Sequence, residues 1–302
     1  MITIATLLLL AATLMWGASF VLIKVGLEEI PPVTLATLRF SFASLIFLAA
    51  ISRYKLRESI GCLKEDFLIL SGIGFTGIFL PNVLQNIGMQ YTTASISSIL
   101  MATGPIFVAV LAAIFLGESL GARKIIGIGI ALFGAAMIST QGDIAAVREL
   151  SSHTFGNILL LLSAVSYGPS TILAKIGVRD RDPILVVSWS TILGSLLLIA
   201  FTPFYEPVDV VLRLSPHAWG IVIALAILPT AVAFLFWFEA LKRMEASKVS
   251  FFIFFIPVFA TIFAYFFLQE AVTGFVIANA ALVLFGVYLA ESEKEKEDSA
   301  SK

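Results

Sequence analysis

The sequence predicts an all-α integral membrane protein, with ten transmembrane helices arranged as two inverted five-helix repeats. Three observations predict it. The 302 residues are 59% hydrophobic and only 13% charged, whereas a soluble domain is roughly 25% charged. The apolar residues gather into segments of about 20, the length that crosses a bilayer core. The segments also repeat: Pro105, Phe107, Ala112, Phe115, Leu116 and Glu118 recur as Pro257, Phe259, Ala264, Phe267, Leu268 and Glu270, each 152 residues later.

In chain order the expected spans are 3–25, 33–52, 67–88, 94–116, 122–140, 156–177, 184–204, 218–240, 247–268 and 272–290. Short separators that are polar or carry Pro and Gly divide them. The first segment has no basic leader and no small-residue cleavage site, so it reads as a membrane helix and not as a signal peptide. From Glu291 the chain runs ESEKEKEDSASK, a composition that predicts a disordered, solvated tail. The expected units are therefore a first repeat over 1–141, a second over 154–290 and a cytoplasmic tail over 291–302.

The echo extends to helix 1, where Gly17, Ser19, Lys24, Gly26 and Pro32 recur as Gly168, Ser170, Lys175, Gly177 and Pro183. Each half holds an odd number of helices, so the second copy must enter the membrane in the opposite sense. Charge placement agrees. Connection 2–3 carries Arg53, Lys55, Arg57 and Lys64, connection 4–5 carries Arg123 and Lys124, connection 6–7 carries Arg179 and Arg181, and connection 8–9 carries Lys242 and Arg243. On the other side, Arg148 and Arg213 stand alone. Because basic residues stay inside, both termini are expected on the cytoplasmic side of the cell membrane.

Composition also excludes function classes. A net charge of −1 argues neither for nucleic acid nor for an acidic partner. One cysteine, Cys62, and two distant histidines, His153 and His217, make neither a disulfide nor a metal site nor a catalytic cluster. An integral membrane enzyme would need such a cluster, and a channel would need a charged ring or filter loop. No cofactor is expected. The expected partners are a small-molecule substrate and the lipid bilayer, with a monomer or weak homodimer as the assembly. Gly127, Ala131 and Ala135 in helix 5, with Gly274 and Ala278 in helix 10, are small residues at four-residue spacing, which suits a scaffold pair or a dimer contact.

An inverted repeat with a site between its halves is the architecture of a carrier. Candidate cavity residues follow from polar groups on apolar helices. Asn82, Gln85 and Asn86 share one face of helix 3, and amides in lipid are costly unless they face protein or water. Two readings are open for them, a substrate face and interhelical hydrogen bonding. Trp16, Ser19 and Phe20 in helix 1 have Tyr167, Ser170 and Thr171 as counterparts in helix 6, an aromatic wall with few polar anchors. Trp237 in helix 8 and Trp189 in helix 7 are further candidates for the wall. Pro81, Pro105 and Pro257 are expected as hinges or kinks. Glu118 and Glu270 are expected as structural charges at helix N-termini. Lys24 and Lys175 end helices 1 and 6, where snorkelling suffices, and Glu239 is expected to pair with Lys242 and Arg243.

The stretches MWGASFVLIKVGL, LRF at 38–40, PIFVAVLAAIFLGESL at 105–120 and GIGIALFGAAMIS at 127–139 resemble the EamA repeat of the drug/metabolite transporter superfamily. FWFEALKRMEAS at 236–247 and PVFATIFAYFFLQEAVT at 257–273 resemble its second copy. The resemblance implies a secondary transporter exporting small metabolites, amino acids or related amphipathic compounds, by alternating access. A non-transporting scaffold and a membrane enzyme are the alternatives. Arg39 matches the arginine of the first repeat, while its equivalent in the second half is Trp189–Ser190. For Arg39 a structural role, bonding backbone carbonyls at a helix break, is expected over holding an anionic part of a substrate.

Overall fold

The structure, a computed structural model, describes residues 4–53, 56–116, 121–140, 152–244 and 246–291. Among these residues every regular element is helical. In the first half α1 is Ile4–Gly26, α2 Pro32–Ile51, α3 Leu56–Glu65, α4 Phe67–Gln90, α5 Ala94–Met101, α6 Gly104–Leu116 and α7 Ala122–Thr140. In the second, α8 is Ser152–Asp180, α9 Pro183–Tyr205, α10 Pro216–Arg243, α11 Ala246–Phe251, α12 Phe255–Leu268 and α13 Gly274–Glu291.

Seven stretches are long and apolar enough to cross a membrane: α1, α2, α4, the α5–α6 run, α8, α9 and α10. Three further apolar stretches, Ile125–Gly134, Phe252–Leu268 and Gly274–Gly286, are shorter. The ten expected spans thus appear as seven of full length and three short ones among the described residues. Leu68, Ile114, Phe115, Phe204 and Phe266 are each more than half exposed, which lipid tolerates and water does not. The chain is a multi-pass membrane protein.

Local chemistry starts the helices where the sequence places them. Proline opens α2, α9 and α10, its fixed φ suiting a first turn that needs no N–H. Asp182 accepts from Ile184 N at 3.1 Å, and Ser215 Oγ accepts from Ala218 N at 3.1 Å, each satisfying an orphan donor. Connection 2–3, expected as a loop, instead contains the amphipathic helix α3.

The larger differences are breaks. Helix α4 passes through a π-helical segment, Gly74–Phe79, and α10 through another, Ile227–Val232. Pro81 follows the first as the helix resumes. The fourth and ninth spans, expected as continuous helices with kinks, are interrupted. Ala102 and Thr103 separate α5 from α6, and the 3-10 turn Phe252–Phe254 separates α11 from α12. Pro105 and Pro257 fall in the first turn of each resumed helix, where a missing N–H orphans nothing.

The main packing pairs correspond when the halves are exchanged. Helix α1 lies along α10 and α12, and its counterpart α8 lies along α4 and the α5–α6 run. Helix α2 packs on its counterpart α9, and α7 on its counterpart α13. The α7–α13 contact is backbone to backbone: a Cβ added at Gly286 would lie 2.5 Å from Ala131 N and from Gly127 O. The run at Gly127 and Ala131 therefore serves a scaffold pair within the chain, whereas a Cβ at Gly274 would meet nothing within 4 Å.

Charged side chains pin the helix ends. Lys24 Nζ donates to Met89 O and Thr92 O, both at 2.7 Å, and Lys175 Nζ donates to Leu241 O at 2.7 Å and Met244 O at 2.8 Å. Snorkelling is therefore not their geometry: each ammonium binds the orphan carbonyls that end a neighbouring helix. Glu270 Oε1 accepts from Ala94 N at 2.8 Å, and its Oε2 accepts from Ser95 N at 3.1 Å and Ser95 Oγ at 2.7 Å. The helix it serves is thus α5, not the one it precedes. Glu206 does the same for α2, accepting from Val33 N at 2.9 Å and Thr34 N at 2.6 Å. Glu118 and residues 292–302 lie outside the described residues.

Between connections, Arg181 pairs with Glu65 and Asp66, and Ser215 donates from N and Oγ to the Glu29 carboxylate. The Ser215 side-chain and backbone hydrogen bonds hold the Glu29 carboxyl below the usual glutamate range. A lowered folded pKa gives stability that is present above the unfolded pKa and lost as pH falls through the folded one. Thermal unfolding from neutral pH down to about pH 3 is expected to show Glu29→Gln converging on the parent at the acid end. A difference that persists there contradicts this ionic contact.

Candidate functional site

One cavity of about 130 Å³ opens among the helices. The space is large enough for several water-sized groups. Both halves line it. Helix α1 contributes Trp16, Ser19 and Phe20, and its counterpart α8 contributes Tyr167, Ser170 and Thr171. Gly77, Ile78, Asn82 and Gln85 come from α4, Phe234, Trp237 and Phe238 from α10, and Arg39 and Ser190 from the facing α2 and α9.

The wall is aromatic. Trp16 and Trp237 have ring centroids 5.1 Å apart, and Phe234 meets Trp16 edge-on at 6.0 Å. Such contacts fix ring planes as well as burying area. The polar groups are mostly satisfied from within. Asn82 Nδ2 donates to Ile78 O at 2.8 Å, Ser19 Oγ to Trp16 O at 2.7 Å and Thr171 Oγ1 to Tyr167 O at 3.0 Å. The Tyr167 hydroxyl faces Asn82 and Arg39.

The two π segments give the cavity its irregular backbone. An extra residue per turn frees carbonyls and commonly marks functional sites. In α10 the chain can be followed atom by atom. Pro229 has no N–H, so Leu225 O loses its helical donor. Thr230 Oγ1 fills the gap, donating to Leu225 O at 2.7 Å. Its lone pairs are left to accept from Arg39 Nε at 2.6 Å. Pro229 O accepts from Trp16 Nε1 at 2.8 Å, so α1 is tied to the same segment. In α4 the π segment lets helices touch: a Cβ on Gly77 would fall 2.1 Å from Ser170 Oγ.

Of the residues singled out in the sequence, Trp16, Ser19, Phe20, Asn82, Gln85, Tyr167, Ser170 and Trp237 all line this cavity. Asn86 does not: its Nδ2 donates to Pro32 O at 3.0 Å, across to the start of α2. Trp189 donates instead to Ser59 O of α3 at 3.0 Å. Glu239 pairs with Arg243 at 3.0 Å, while Lys242 turns to Arg181 O. Arg39 is on the cavity wall and bonds a side-chain hydroxyl, not the backbone carbonyls expected. Sequence reasoning missed Phe234 and the Pro229–Thr230 pair. The signal was present as a proline in the middle of the apolar part of a 28-residue segment. No group of His, Cys, Asp and Glu among the described residues is placed to hold a metal ion.

A sequence model described as the EamA-like transporter family matches the chain twice, over residues 3–140 and 154–291. An uncharacterised transporter of Bacillus subtilis is 29% identical over 93% of this chain and 94% of its own length. An uncharacterised transporter of Archaeoglobus fulgidus is 30% identical over 96% and 98% respectively. A chloroplastic WAT1-related protein of Arabidopsis thaliana is 27% identical over 91% of this chain and 66% of that one. A crystal structure 19% identical in sequence superposes with a TM-score of 0.70, covering 96% of this chain and 98% of the other, and so shares its fold.

Proposed function

Because the chain belongs to the EamA-like transporter family, and is thus a membrane transporter, we propose that the cavity is its substrate site and that it exports small metabolites, amino acids or related amphipathic compounds, by alternating access. The observation that carries the proposal is the lining: counterpart helices of the two halves, α1 with α8 and α4 with α10, face one space. Two inverted five-helix repeats around one site have two near-equivalent arrangements, open to opposite sides. The paired lysine contacts support the same reading, since each binds a helix end in its own half, at what would be opposite membrane faces. Both termini are then cytoplasmic, as the distribution of Lys and Arg favours.

The test is counterflow in proteoliposomes. Vesicles loaded with unlabelled amino acids, nucleobases or sugars receive trace label outside, and saturable accumulation is expected for at least one solute. Asn82→Ala and Gln85→Ala each remove a hydrogen-bonding group from the wall, and each is expected to weaken apparent affinity about tenfold, the equivalent of about 1.4 kcal/mol. Asn86→Ala is expected to leave affinity unchanged while lowering thermal stability. Accumulation insensitive to Asn82 and Gln85 would move the site elsewhere, and no accumulation of any solute by folded protein would sink the carrier reading.

A further inference from the structure

We propose that Arg39 anchors the substrate and that the substrate is a small carboxylate monoanion, its charge on the guanidinium and its apolar body against Trp16, Phe234 and Trp237. This rests on the cavity being the transport site. Arg39 is 5% exposed. Its Nε donates to Thr230, and among the described residues its terminal nitrogens have no hydrogen-bond partner and its charge no ion pair. A guanidinium carries five N–H donors, so most of this one is unused. Thr230 is itself held by Leu225 O, and the Phe40 ring lies 5.0 Å from Arg39 Cζ. The fork is therefore held in orientation while its outer nitrogens stay available to the cavity.

Position and symmetry set this charge apart from the paired lysines. The lysines that hold helix ends come as a pair, Lys24 and Lys175 binding equivalent carbonyls, and Glu270 has Glu118 as its sequence counterpart, although Glu206, which caps α2, has none. Arg39 has Ser190 as its counterpart, 151 residues on, and Ser190 lines the same cavity. Among the charges on the cavity wall, Arg39 therefore stands alone. The lining contains no Asp, Glu, Lys or His, so the empty site carries one uncompensated positive charge. A buried unpaired charge is costly, and a matching one removes the cost. A monoanion balances it, and a carboxylate meets the fork through two oxygens. A dianion leaves a negative charge over. A zwitterion brings an ammonium that finds only amides, hydroxyls and ring faces.

The experiment uses matched pairs in proteoliposomes at about pH 8, where carboxylic acids are ionised, with leak into protein-free vesicles subtracted. The probes are phenylacetate with phenylacetamide, benzoate with benzamide, and 4-methyl-2-oxopentanoate with its amide. Leucine, a nucleobase and a sugar serve as uncharged or zwitterionic references. Counterflow of a carboxylate at least about tenfold above that of its amide is expected, lost in Arg39→Gln and partly kept in Arg39→Lys. Should Arg39→Gln fail to fold, the unaltered protein is expected to be thermally stabilised by phenylacetate and not by phenylacetamide, and equal stabilisation by the two overturns the proposal. Equal movement of amides, or carboxylate movement indifferent to Arg39→Gln, also overturns it and leaves the transporter intact. Movement of the references alone does the same. No movement of any probe or reference overturns both readings.

Discussion

Replacing Gly286 with leucine is expected to separate α7 from α13 and to lower stability by about 3 kcal/mol or more. A Cβ at this position meets Ala131 N and Gly127 O at 2.5 Å. Both atoms are backbone, so no rotamer change relieves the clash, and interiors packed near crystal density give little elsewhere. The same chemical change at Gly274 is the control. An added Cβ there has no atom within 4 Å, although both glycines lie on α13. Thermal unfolding in one detergent is expected to show a large drop for Gly286→Leu and almost none for Gly274→Leu. Similar melting temperatures for the two would mean that α7 and α13 do not meet as described.

The second large effect is expected at the lysines. Lys24→Met keeps the length of the side chain but strips two carbonyls, Met89 O and Thr92 O, of their donor, and Lys175→Met does the same to Leu241 O and Met244 O. Hydrogen bonds from a charged group contribute about 1.5–3 kcal/mol each, offset by no longer burying an ammonium. A net loss of roughly 2–4 kcal/mol per variant follows. The contacts share no partner, so the double variant is expected to be close to additive. If the halves alternate, the two single variants differ in function. Each loosens one end of the cavity, and a cysteine placed beside Ser19 or Ser170 is expected to gain reactivity toward an impermeant thiol reagent from opposite sides. Gain from the same side in both would argue against opposed gates.

These outcomes depend on features that the sequence displayed unevenly. Apolar length and the 152-residue echo are properties of composition and spacing, and they marked where the long helices run. The breaks were hidden, because periodicity over a window does not register one inserted residue per turn. Gly77, Pro81 and Pro229 were visible as residues that permit irregular backbone, but not as π segments. Asn82 and Asn86 share a helical face by spacing, yet that face is divided: toward Asn82 it meets the cavity, and toward Asn86 it meets the start of α2. Lys24 looked like a snorkelling side chain because its carbonyl partners lie 65 and 68 residues away. Glu270 was legible as a helix-end charge, but the helix it caps is 176 residues earlier. What local sequence cannot carry is the identity of a distant partner, and the contacts that tie one helix to another here are distant.

The proline in the middle of α10 has one more consequence. By deleting a backbone donor, Pro229 commits the Thr230 hydroxyl proton to Leu225 O, and a hydroxyl normally free to turn becomes a fixed dipole with its lone pairs toward Arg39. A rotor frozen before any ligand arrives loses no torsional entropy when one does. Its field is also preorganised, so no dipole on that side of the wall need reorient as a solute enters or leaves. A helix defect of this kind lowers the reorganisation energy of the wall, a property that suits the transport site proposed above.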